Sequence, residues 1–229
     1  NGAGAHRVLI CQSGETGTTV FERLVIQSGR GENEDLFGTP RRIGGGLYND
    51  FSSPTLTSCT FAENTAPNGG GMYSGDGSSS ALVNCAFIGN SAAEHGGGIM
   101  LDSSDADLDG CQILNNTAAY GGGFAQIEGG CSSTLEDCVF EGNQSIGEDG
   151  DGGGFYASAC GGGTNRATLA GCVIAGNASE WRGGGLSVHC DATLTLDACV
   201  VTGNVAATGA GGGIINPGST LGLTSTTVC

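Results

Sequence analysis

Apolar and polar positions along this chain recur in short bursts of three to five residues, too brief for a helical period and repeated too regularly for a loop. Six times between residues 56 and 204 the burst reads Leu-x-x-Cys-x-Φ-x-x-Asn, where Φ is Phe, Ile or Val. Its leucines are Leu56, Leu82, Leu108, Leu135, Leu169 and Leu196, and its cysteines are Cys59, Cys85, Cys111, Cys138, Cys172 and Cys199. Phe61, Phe87, Ile113, Phe140, Ile174 and Val201 fill Φ, and Asn64, Asn90, Asn116, Asn143, Asn177 and Asn204 close the motif. Glycine triplets starting at Gly44, Gly69, Gly96, Gly121, Gly152, Gly183 and Gly211 punctuate the series and give repeats of 25 to 31 residues. A period of this size that drifts by a few residues predicts a solenoid whose surplus residues loop out at a corner.

Cys and Φ stand two apart, so they share one face of an extended strand. The odd gap from Leu to Cys requires a bend or bulge between them. A second short strand follows each triplet, as in Gly-Gly-Gly-Leu-Tyr or Gly-Gly-Gly-Phe-Tyr, so the predicted unit is strand, corner, strand, corner. Coils stacked in parallel at about 4.8 Å would pile the Leu, Cys and Φ residues into interior ladders. The Asn ladder belongs at a corner, where Asn tolerates left-handed backbone and its amide meets the amide of the next coil. The triplets suit a tight corner where backbones approach closely.

Crossover handedness and strand twist favour a right-handed coil. The expected fold class is therefore all-β, a right-handed parallel β-helix. Phe21-x-x-Leu24-x-Ile26-x-x-Gly29 extends the template upstream and Leu223-x-x-Thr226-x-Val228 downstream. Together these give about eight coils in a rod about 40 Å long. The predicted organisation is a single domain over 1–229, with an N-terminal coil and long loop (5–43), six ladder coils (44–210) and an incomplete C-terminal coil (211–229).

Gly-Gly-Gly-hydrophobic paired with Phe-x-x-Asn, seen at Phe61/Asn64, Phe87/Asn90 and Phe140/Asn143, resembles the repeats of polymorphic outer-membrane proteins and related bacterial right-handed β-helix repeat proteins. The resemblance runs from about Ala5 to Val228, with Gly at the third motif position where that family usually has Ala. It implies a bacterial, secreted or surface-displayed adhesive passenger, often carried by a membrane β-barrel, with a host or cell-surface protein or glycan as partner. No barrel-like segment occurs in this sequence.

Composition narrows the picture. Glycine supplies 46 of 229 residues, but periodically, which argues for a solenoid over a disordered chain. Lysine is absent, and seven arginines face 23 acidic residues for a net charge of −16. That charge argues against nucleic acid and anionic membrane as partners, and no stretch is long and apolar enough for membrane insertion. The sequence opens on Asn1 with no signal-peptide pattern, as expected of a processed or partial chain.

Eleven cysteines without metal-type spacing predict an extracellular protein. The six ladder cysteines read as small buried hydrophobes; bridges up the stack are the alternative, although stacked Cβ atoms at about 4.8 Å exceed the usual span. Cys131, Cys160 and Cys190, a few residues beyond their triplets, make better bridges, either Cys131–Cys160 or Cys160–Cys190. Cys11 and Cys229 fall in the first and last coils, too distant to meet within one molecule and therefore candidates for an intersubunit link.

Catalytic signatures are missing from the motif pattern, and no catalytic residue or cofactor is expected. Parallel β-helices include pectate lyases and polygalacturonases, whose sites need carboxylates converging from neighbouring coils. Here Asp102, Asp105, Asp107 and Asp109 crowd one coil, and Glu148, Asp149 and Asp151 a glycine-rich insertion. Both clusters read first as solvated charge, with Asp105, Asp107, Asp109, Asp149 and Asp151 as candidate calcium ligands. His6, His95 and His189 occupy different repeat phases, which predicts separate surface roles. Asn115, Asn143 and Asn177 begin glycosylation triplets, two of them at ladder positions expected to be buried; Trp181 and Arg182 read first as isolated corner residues, with an exposed stacking pair for sugar or protein as the alternative.

Neither end of the pattern carries a cap, which fits either a section of a longer rod or end coils that stack on one another. The leading expectation is an extracellular structural subunit that stacks head to tail into a filament. An adhesin passenger is the alternative, and a polysaccharide lyase or hydrolase the third reading.

Overall fold

The computed structural model describes residues 6–31, 34–36, 39–41, 43–160 and 162–229; Ala5, where the pattern was expected to begin, lies outside them. All paired strands of the solenoid are parallel, and each winding visits the same sheets in the same order. In one winding Met72–Gly75 lies in sheet A, Ser79–Val83 in sheet B, Ala86–Ile88 in sheet C and Ser91–His95 in sheet D. Sheets A, B and C each have eight strands and sheet D has six. The two-strand unit expected from the sequence is therefore corrected to three sheets and a short fourth. The long loop of the first coil contains a small antiparallel pair, Glu34–Leu36 with Thr39–Arg41.

Single left-handed residues make the corners that the sequence pattern could not place. Ser58, Asn84, Gly110, Asp137, Gly171 and Ala198, each immediately before a ladder cysteine, have φ between 51° and 63°. One such residue swings the chain from sheet B to sheet C while leaving Leu and Cys both facing inward, which accounts for their odd spacing. The Asn ladder differs from expectation. The left-handed position is the residue before each asparagine (Glu63, Gly89, Asn115, Gly142, Gly176 and Gly203), and the asparagine itself turns inward.

Inside, identical residues stack in register. Leu56, Leu82, Leu108, Leu135, Leu169 and Leu196 form one unbroken column in sheet B. In sheet C, Phe61 stacks on Phe87 with ring centroids 4.6 Å apart and planes 1° from parallel. Burying such side chains contributes about 1.5–3 kcal/mol each.

The asparagines form a hydrogen-bonded file. Asn90 Nδ2 donates to Asn116 Oδ1 at 3.0 Å and to the Phe61 carbonyl at 2.9 Å, while its backbone N–H donates to the same Asn116 oxygen at 2.9 Å. Every polar atom of a fully buried amide is thereby satisfied.

The triplets hold the pitch. Gly44 has φ +65°, and a Cβ on Gly46 would stand 2.5 Å from the Gly71 carbonyl oxygen of the next coil. Windings can lie this close only where the side chain is hydrogen.

Candidate functional site

The most diverse side chains of the rod collect on the outside of sheet A and the corner that leads into it. The residues just before successive triplets pair coil to coil as a column: Asn68 with His95, His95 with Tyr120, Tyr120 with Asp151, and Asp151 with Arg182. The second residue of each sheet A strand faces the same side, giving Tyr73, Met100, Ala125, Tyr156 and Ser187 in register. Small Ala125 leaves room for rings from both columns. His95 and Tyr120 stack at 5.2 Å, Tyr120 and Tyr156 meet at 5.4 Å, and Tyr156 and His189 at 5.6 Å. The rings therefore lean on one another along the rod axis and spend their faces on mutual contact.

At one end of this file sits a buried carboxylate. Asp151 Oδ2 lies 3.1 Å from His189 Nε2, and Asp151 Oδ1 lies 3.6 Å from Arg182 Nε. The Arg182 guanidinium rests 4.9 Å over the Trp181 ring, so the two side chains stack on each other rather than standing isolated at the corner, with Asp151 behind Arg182. Burial raises the Tyr156 hydroxyl above its ordinary value, with Asp151 adding to the effect; burial likewise raises Tyr120, with Asp149 and Asp151 adding. Burial lowers His95, against the pull of Glu94 and Asp102.

Ser187 Oγ lies 2.7 Å from His189 Nε2, the same nitrogen that faces Asp151. A nucleophilic relay needs one imidazole nitrogen on the carboxylate and the other on the hydroxyl. This trio lacks that arrangement. The expectation of isolated histidines is corrected for two of the three, since His95 and His189 belong to one file; His6 is exposed and apart from it.

The five candidate calcium ligands are not brought to one point. Asp107 and Asp109 project outward from sheet B, Asp105 accepts the Ser132 N–H at 2.7 Å, and Asp149 and Asp151 belong to the corner before sheet A. No three His, Cys, Asp or Glu side chains among the described residues are grouped as a metal site. Of the glycosylation triplets, Asn143 and Asn177 are consumed by the buried file and Asn115 alone is exposed.

Cysteine placement resolves the open alternatives. Cys160 and Cys190 form a disulfide with Cα atoms 5.0 Å apart, stapling adjacent coils at the corner between sheets A and B. Cys131 is a buried free thiol, pushed up to about 11 by burial. The six ladder cysteines are buried free thiols, and neighbouring thiols and burial raise Cys85 and Cys138 well above the ordinary value. Hydrogen bonds from the neighbouring thiols lower Cys111 and Cys172, against the opposing effect of burial.

Cys11 and Cys229 prove ill-matched. Cys11 points inward in sheet A, buried and raised to about 11 by burial, whereas Cys229 follows sheet C and is exposed.

The axial faces have their own character. The last coil keeps the ladders in register, Leu196 with Leu223 and Val201 with Val228, yet Leu223 is 51% and Val228 47% exposed. At the first coil Val20, Leu24 and Val25 are exposed, and Phe21 is half-buried. The 32 residues after Asp197 contain no Asp, Glu, Lys, Arg or His, on a chain of net charge −16.

A family model described as the right handed beta helix region matches residues 45–228 of the chain. No curated protein and no solved structure matches it. No helix among the described residues is long and apolar enough to cross a membrane.

Proposed function

Because the chain belongs to the right-handed β-helix family, we propose that it is an extracellular structural protein, a stiff rod that lengthens by stacking head to tail with copies of itself. One observation carries this reading: the 32 residues after Asp197 form rungs in parallel register with the coil before them and carry no charge, on an otherwise strongly acidic molecule. Loss of charge in one region of a surface is the mark of a contact region. A contact between unlike ends that does not close yields a filament. The Cys160–Cys190 bridge supports an oxidising compartment.

Sedimentation velocity and negative-stain imaging from one to one hundred micromolar test the proposal. Rods of whole-number multiples of one molecule are expected; a monomer at every concentration overturns it.

A second reading, a recognition module of adhesin type, is favoured by the Tyr120–Tyr156–Asp151–Arg182–Trp181 file on the flank of the rod. Trp181→Ala would abolish cell or glycan binding on that reading and leave rod length unchanged. Catalysis forms no part of either proposal, and turnover of polygalacturonate, with or without calcium, would contradict both.

A further inference from the structure

Charge is unevenly shared among the outer faces of the rod. Sheet B turns Asp107, Asp109, Glu136 and Asp197 outward, and sheet A turns out Asp50 and Asp102. Sheet C departs from both. Its ladder strands Thr60–Ala62, Ala86–Ile88, Gln112–Leu114, Val139–Glu141, Val173–Ala175 and Val200–Thr202 each bury the middle residue and turn the two flanking ones outward. Among those outward side chains Glu141 alone is charged, on a chain of net charge −16.

The outward columns are aliphatic as well as neutral. Val139, Val173 and Val200 follow one another in register, and Ile88 stands beside Leu114 in the second column. Ile88 is 36% and Val200 39% exposed. Each of these windings enters the face straight from the ladder cysteine and leaves it two residues before the ladder asparagine, so no loop rises from it.

We infer that the outside of sheet C is a pairing face, on which a second copy of this chain lies flank to flank, sheet against sheet. The occupant follows from charge and spacing. Two molecules of charge −16 repel wherever their carboxylates meet, whereas here neutral side chains line the approach. Depletion of charge is also what sets the core of a protein interface apart. A second copy brings the same rung spacing of about 4.8 Å, so the side chains of one face fall between those of the other along its whole length, with the sheets about 10 Å apart. A partner of other architecture would match at a rung or two only.

Six rungs of three residues make a plane of about 300 Å2, which belongs with weak, reversible contacts. Chemical trapping therefore suits it better than sizing at equilibrium. The pairing goes beyond the head-to-tail reading and does not rest on it, because the face runs along the rod.

Cross-linking of the full chain by a short bis-maleimide tests the pairing. Cys229→Ser removes the exposed free thiol, and the remaining free cysteines among the described residues are buried. Into that background goes either Gln112→Cys, at an exposed position in the middle of sheet C, or Thr168→Cys, at an exposed position in sheet B. The sheet C thiol should yield dimers about tenfold faster than the sheet B thiol, whose rate reports chance collision. Val173→Asp added to Gln112→Cys should bring the rate down to that of Thr168→Cys, and the same substitution should leave the Thr168→Cys rate unchanged. Ile88→Glu, at an exposed rung, repeats the charge test by a second route, and circular dichroism melts show that each variant is folded. Equal rates at the two thiols overturn the pairing, as they would on a face that serves an unlike partner. An excess at Gln112→Cys that survives both charged variants overturns it as well.

Discussion

The Sγ atom of Cys111 lies 3.4 Å from the carbonyl oxygen of Leu82, one winding away. The relationship repeats from Cys85 to Leu56 at 3.4 Å, Cys138 to Leu108 at 3.7 Å, Cys172 to Leu135 at 3.3 Å and Cys199 to Leu169 at 3.3 Å. At the last coil Thr226 stands in the cysteine place, and its hydroxyl reaches the Leu196 carbonyl at 3.2 Å. The position selects a small donor, and thiol and hydroxyl both meet that requirement. Cys111→Ala should therefore destabilise the rod by about 1–2 kcal/mol through the lost bond and the small void, and Cys111→Ser by less. Guanidinium midpoints at unchanged slope measure both; an alanine variant as stable as the wild type would remove the thiol from the bonding scheme.

The asparagine file should be less forgiving. Asn116 Oδ1 accepts from the backbone and side chain of Asn90 at 2.9 and 3.0 Å, and Asn116 Nδ2 donates to the Phe87 carbonyl at 2.9 Å and to Asn143 Oδ1 at 3.0 Å. Asn116→Ala strands several buried groups at once, for a loss of about 3 kcal/mol or more. Asn116→Asp keeps the acceptor and loses both donations. Burial would raise the new carboxyl above its unfolded value, so the variant should be most stable in acid and lose stability as pH rises through about 4. Thermal melts between pH 3 and 7 would show the trend, and a variant that gains stability with pH would contradict it.

Glycine substitutions separate two kinds of corner. Gly46→Ala drives a methyl into the Gly71 carbonyl, with Asn64 Nδ2 and the Phe61 ring 3.0 Å away, and should prevent folding or cost more than about 4 kcal/mol. Gly77 has φ +72° and nothing within 4 Å of a built Cβ, so Gly77→Ala should cost about 1 kcal/mol, the conformational penalty alone. Calorimetric melting temperatures distinguish them, and equal shifts would show that close approach does not set the pitch.

His95 gives the rod a pH dependence of known sign. Burial lowers its folded value below the ordinary 6.5, so the unfolded chain binds the proton more tightly. Its contribution is intact above about pH 6.5 and is lost as pH falls below that value. Urea midpoints of His95→Gln and wild type should run parallel above neutrality and diverge in acid, with the wild type falling faster. Parallel curves down to pH 5 would show that the imidazole is free to protonate.

Much of the interior was legible because a ladder demands the same residue at every rung: Leu56, Cys59, Phe61 and Asn64 announce their places by recurring. The corners were harder. Ser58, Asn84, Gly110 and Ala198 share a left-handed backbone and no side-chain chemistry, so nothing in their identities reveals the turn or the third sheet. The flank was hidden for the opposite reason. Asn68, His95, Tyr120, Asp151 and Arg182 differ at every rung, and only counting one place back from each triplet aligns them. That count was available in the sequence, and it would have joined His95 to Tyr120 and Asp151. The choice between Cys131 and Cys190 as partner of Cys160 depended on loop geometry that spacing does not encode.

From the ladder leucine to the ladder asparagine the chain always takes eight steps, as from Leu56 to Asn64 or Leu169 to Asn177, while every surplus residue falls in the two corners flanking sheet A. One edge of the molecule is thus a fixed spine and the other a row of open slots. A foreign peptide spliced between Gly75 and Ser78 would ride at the height of its own winding without disturbing those above or below, so a single rod could display several unrelated sequences at set intervals.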